Sequence, residues 1–127
     1  MPRLARVTQV ALVVNALAHL SGSIGFVLGF GPHVAEQAFM ARRAGAAGVA
    51  AVVMFLVVAV RFQRDALLMA LPIAFVAMNL TDSVYELVST RDAQHLPPLV
   101  AESIFLAIYV AYVATRPQVR SYSRRGP

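Results

Sequence analysis

Three carboxylates and one histidine hold most of the chemical potential of this 127-residue chain. Asn79, Asp82 and Glu86 follow one another at spacings of three and four, which places all three on one face of a helix, with Thr81, Ser83 and Tyr85 beside them. Glu102 stands in the next apolar stretch, and the first stretch offers Asn15, His19, Ser21 and Ser23. Acids gathered in this way can take up a proton or hold the polar end of an amphipathic ligand. Asp82, Glu86, Glu102, Asn79 and His19 are therefore the candidate ligand- or proton-binding residues. The nearest cations are Arg42 and Arg43. Arg43 is the expected partner of Asp82, with Glu102 within the same reach, because a guanidinium can bridge two carboxylates and stays charged in a partly dry site. The plainer reading of the same residues is that the charges hold helices in register.

Other chemistries find little support. The chain has no cysteine, which removes disulfide exchange, thiolate ligation of zinc and iron–sulfur binding. His19 is the only histidine inside an apolar stretch, so two axial histidines for a haem cannot come from one subunit. A hydrogen-bonded packing histidine is the simpler expectation, and a base role would need a substrate atom within hydrogen-bond reach. His33 and His95, near Glu36 and Asp92, match no metal-ligand spacing. No nucleotide, phosphate or nucleophile-elbow motif occurs. No catalytic residue, cofactor or metal is assigned.

The elements that must position these groups are four apolar stretches, residues 10–30, 44–60, 66–88 and 99–115. Each reaches or approaches the about 17–25 residues that a helix needs to cross a bilayer core. Residues 44–60 contain nothing more polar than Met54, so this helix has no side reserved for water. With 59% hydrophobic residues and a mean hydropathy of +0.69, an ordinary soluble domain is disfavoured. The expected fold is an all-α integral membrane four-helix bundle, up-down-up-down, covering residues 1–115 and followed by a flexible basic tail at 116–127.

A pI near 10.8 would point to nucleic acid in a soluble protein, but here the charge follows the span ends. All eleven basic residues are arginine. Eight of them (Arg3, Arg6, Arg61, Arg64, Arg116, Arg120, Arg124 and Arg125) fall on one side of the expected topology, and three (Arg42, Arg43 and Arg91) on the other. Both termini are then expected to be cytoplasmic, with the first span retained rather than cleaved. No nucleic-acid partner is implied. The tail is expected to lie along the anionic inner leaflet. Arginine without lysine beside abundant alanine and valine is read as the mark of a GC-rich bacterial genome, and the location as the bacterial inner membrane.

Small residues mark the expected packing faces. Gly25 and Gly29 share one face of the first helix, and Gly45 and Gly48 open the second at the same outer depth. Pro72 is expected to bend the third helix or sit in its first turn, and Pro97-Pro98 to start the fourth. The short connection at 61–65 makes helices two and three antiparallel neighbours. Tyr109 and Tyr112 read as interfacial anchors. No internal repeat is apparent, so inverted-repeat transport is not supported.

These features resemble the small four-helix bacterial membrane proteins of the DoxX-like group. The resemblance is carried by the glycine-rich first helix closing at Gly31-Pro32, the Arg43-Ala44-Gly45 opening of helix two, Arg61 and Arg64 in a tight connection, and Glu102 early in helix four. It implies a compact bundle in the cytoplasmic membrane, with some relatives serving as subunits of respiratory or redox assemblies. The chain departs from that pattern at Thr81-Asp82-Ser83, where many such proteins carry a basic residue. The function expected is a non-catalytic accessory or assembly subunit, partnered by the bilayer and by a membrane protein or further copies of itself. The alternative is a small binding protein for lipids or hydrophobic ligands, or a proton-coupled transporter, built on the acidic cluster. An intramembrane isomerase or hydrolase using His19 is the third class.

Overall fold

A computed structural model describes the backbone of residues 2–28 and 35–116 and the side-chain surroundings of residues 2–24 and 43–116. Four long helices fill it: α1 at Pro2–Leu28, α2 at Ala35–Arg61, α3 at Ala70–Thr90 and α4 at Leu96–Thr115. Short 3-10 turns at Ala66–Met69 and Ala93–His95 lead into α3 and α4. No strand occurs among the described residues.

Two of the helices outrun their apolar stretches. α1 already begins at Pro2, and α2 at Ala35, so Arg42 and Arg43 lie within α2 rather than ahead of it. Residues 35–43 contain neither glycine nor proline, and alanine and arginine both favour helix, so nothing stops the winding there. The expected loop before the second span is in that part helical. Four segments are long and apolar enough to cross a membrane: Pro2–Ile24, Arg43–Arg61, Ala66–Thr90 and Ala93–Thr115.

Proline and aspartate set the starts. Pro72 is buried in the first turn of α3, and Pro97-Pro98 occupy the first turn of α4, where a missing N–H costs nothing. Asp65 and Asp92 cap the 3-10 turns, each carboxylate accepting from the backbone two residues on (Leu67 N and Gln94 N, both at 3.0 Å). α3 stops at Arg91, which takes the left-handed conformation at φ 55° while its N–H bonds Leu87 O at 2.9 Å.

α1 packs most extensively on α2, and α3 on α4; α1 also meets α4, whereas α2 and α3 touch least of these four pairs despite their tight connection. The α1–α2 pair is antiparallel, since Gln9 bonds the Ala59 carbonyl and His19 stacks on Phe55. The core runs through Leu12, Ala16, Phe55, Val58, Phe62, Met69, Val76 and Tyr109. Between α1, α2 and α3 the space is filled by rings. His19 lies parallel to Phe55 at 5.7 Å, and Phe75 meets both edge-on at 5.1 and 5.6 Å.

Candidate functional site

The inward line of α3 is Met69, Pro72, Val76, Leu80, Ser83 and Leu87, a spacing of three and four that turns one seam to the bundle. Asp82 and Glu86 each precede a member of this line by one position, which rotates them out of it. Both are exposed, as are Thr81 and Tyr85, while Asn79 is half-buried at the edge. Glu102 on α4 is half-buried too, and its Oε2 accepts a hydrogen bond from Ser83 Oγ at 2.9 Å. The acids therefore divide into one carboxylate held between α3 and α4 and two on the outer surface of α3.

Among the described residues, Asn15 and His19 of α1 make no hydrogen bond to Asp82, Glu86 or Glu102. On α1, Gln9 bonds to α2 and Asn15 to α4, His19 lies against rings of α2 and α3, and Ser21 is exposed. Asn15 is buried and donates to the Tyr109 hydroxyl at 3.3 Å. His19 sits among phenylalanine rings, and its imidazole makes no hydrogen bond among the described residues, so it packs as expected but without the expected bond. Ser23 Oγ donates to the His19 carbonyl at 2.7 Å. The polar set of α1 tracks a core-facing line at 8, 12, 15, 19 and 23, which serves helix packing. Thr8, wholly buried on the same line, has no partner for its hydroxyl among the described residues.

Tyr109 and Tyr112 are not interfacial anchors. Tyr109 is fully buried and Tyr112 nearly so, its ring 4.9 Å from that of Phe62. Asn15 supplies a partner for the Tyr109 oxygen, which makes its burial tolerable. The sequence contained a signal for this pair: Asn15 is a lone amide in an apolar run and must find a partner inside the bundle.

No ion pair between Arg43 and Asp82 is present among the described residues. Both side chains are exposed, and Arg43 has an interaction of its own. Asp82 lies on the exposed side of α3. Gly48 behaves as a packing glycine. A Cβ placed there would run into Ser23 Oγ and stand 3.2 Å from Ser23 Cβ, so α1 lies close against α2 at this glycine. Gly45 is buried one turn earlier. Gly29, His33 and the tail beyond Arg116 lie outside the described residues, as do the surroundings of Gly25, Glu36 and Arg42. No group of three metal-ligating side chains occurs among the described residues, and Asp92 is engaged as a cap.

Comparison of the chain with family models, curated proteins and solved structures finds no match. What the site can do follows from its own geometry.

Proposed function

We propose that this protein is a non-catalytic accessory or assembly subunit of a larger membrane complex, docking through the outer face of α3. The observation that carries this reading is the outward exposure of Asp82 and Glu86 on a helix long and apolar enough to span a bilayer. Asp82 lies eight residues inside the C-terminal end of α3, or about 12 Å along the axis. A carboxylate at such depth costs roughly 2.5–3.5 kcal/mol on insertion scales when it faces lipid, so it calls for a covering partner. Tyr85 and Met78, both 68% exposed, supply apolar contact area beside it. The fitting partner is a transmembrane helix that presents arginine or lysine at matching depth. Residence in a bacterial inner membrane with both termini cytoplasmic, and kinship with the DoxX-like group, belong to the same proposal.

A second reading has one observation in its favour. Glu102, half-buried and bonded to Ser83, is placed to take up a proton or hold a polar headgroup between α3 and α4.

Purification in mild detergent from the native host, with mass spectrometry of bound proteins and lipids, tests both. The assembly reading expects a stoichiometric membrane partner that Asp82→Asn with Glu86→Gln removes while the bundle stays folded. A partner that survives the double substitution, or a monomer throughout, overturns it. A bound lipid that Glu102→Gln alone releases would favour the second reading.

A further inference from the structure

The opposite end of the bundle carries a separate feature. Arg3 and Arg6 on α1, Arg61 at the end of α2, Arg64 in the α2–α3 connection and Arg116 after α4 gather on one rim. Two contacts fix their level in the bundle. The Gln9 side chain donates to the Ala59 carbonyl at 3.1 Å, which puts Arg6, one turn before Gln9, at the same end of the bundle as Arg61. Arg116 donates to the Gln63 carbonyl, which ties the end of α4 to the connection that bears Arg64. Arg3, Arg6, Arg61 and Arg64 are exposed, and their side chains make no hydrogen bond or ion pair among the described residues. Of the chain's six acidic residues only Asp65 lies at this end, and its carboxylate is occupied in capping the turn before α3.

The rim is bordered by bare aliphatic surface. Val60 is 78% exposed and Leu67 83%, one on each side of the arginine-bearing connection, at the ends of two candidate membrane spans. Guanidinium groups over exposed aliphatic side chains match a phospholipid: the arginines meet phosphate oxygens, and the acyl chains lie along Val60 and Leu67. Five arginines against the single carboxylate of Asp65 leave an excess of positive charge at this end, which two phosphates match better than one.

We infer that this rim is a binding site for an anionic phospholipid whose headgroup carries two phosphates. The inference rests on the four helices spanning a membrane and is independent of any partner on α3.

The test uses the full chain in lipid-free detergent, titrated with a diphosphatidylglycerol-type lipid, with phosphatidylglycerol at equal total charge, and with inorganic phosphate. Native mass spectrometry reads the bound lipid and thermal unfolding reads stabilisation. The two-phosphate lipid should bind one to one and raise the melting temperature more than phosphatidylglycerol does. Arg61→Gln with Arg64→Gln should weaken that binding at least tenfold and leave the lipid-free melting temperature unchanged. Arg3→Gln with Arg6→Gln provides a second pair should the first disturb folding. Equal responses to both lipids, the same shift from inorganic phosphate, or undiminished binding by the variants would overturn the site. Asp82→Asn with Glu86→Gln should leave this lipid bound, which separates the failure of this site from failure of the α3 docking face.

Discussion

The α1–α2 pair and the α3–α4 pair are built to different ends. In the most apolar part of each helix, 33% of residues are buried for both α1 and α2, against 17% for α3 and 11% for α4. α1 is locked in place by Asn15, Gln9 and the close approach of Ser23 to Gly48. The α3–α4 pair joins through the Ser83–Glu102 bond and a tight connection, and turns Asp82 and Glu86 outward. The difference marks two kinds of surface. α1 and α2 pack on each other, whereas α3 and α4 leave Asp82, Glu86 and apolar area uncovered, and it is this side that the proposed assembly would cover.

The largest expected effect comes from removing the ring that joins the two halves. Phe55 has no exposed surface, stacks on His19 and meets Phe75 edge-on. Phe55→Ala should lower the unfolding free energy in mixed micelles by about 3 kcal/mol. The matched change on the open half, Val100→Ala at a 53% exposed position, should cost less than about 0.5 kcal/mol. Equal losses at the two positions would erase the contrast.

Next comes the helix spacing. Gly48→Leu drives a branched side chain into Ser23 and should cost about 1–3 kcal/mol by pushing α1 from α2. Gly22 offers the control, because a Cβ there meets nothing within 4 Å. Gly22→Ala should be neutral or gain at most about 1 kcal/mol, the difference in helix propensity between glycine and alanine. Thermal unfolding of the two variants in one detergent decides the matter.

A smaller effect is expected from the buried hydrogen bond. Tyr109→Phe leaves the Asn15 amide without its partner, and interhelical bonds of this kind are worth about 0.6 kcal/mol on average in membranes. Adding Asn15→Leu should recover part of the loss, because an apolar pair strands no donor. A double-mutant cycle that is strictly additive would show the two side chains to be energetically independent.

The number of helices was legible in the sequence as four apolar runs, but the starts of α1 and α2 were not, since both helices begin well ahead of their apolar runs. Pro72 and Pro97-Pro98 fall in first turns as their chemistry requires. The facing of the helices was not legible to the same degree. Residues 44–60 carry no polar stripe to mark an outside, and nothing local shows that Gly48 would meet Ser23. The spacing of Asp82 and Glu86 showed that they share a face but not which way that face points. The choice is made by Met69, Pro72, Val76 and Ser83 packing inward, a decision of the whole bundle. Tyr109 and Tyr112 misled for a related reason: tyrosine near a span end suits an interface, until a buried amide from another helix offers its hydroxyl a partner.

The smallest expected effect lies in the α3–α4 connection. Arg91 is the one non-glycine residue with positive φ among the described residues, and its left-handed conformation is the one that ends α3 and releases the chain into the Asp92 cap. Arginine adopts that conformation at some cost, which glycine does not bear. Arg91→Gly should therefore gain at most about 1 kcal/mol, offset by the greater freedom of glycine in the unfolded chain. Arg91→Ala keeps the Cβ and removes the charge, so it should gain nothing. If the two variants unfold alike, the conformation at residue 91 is not what limits the open half. If only the glycine variant gains, the α3–α4 pair is held back by its connection as well as by its sparse core, and the contrast with α1–α2 has a backbone component.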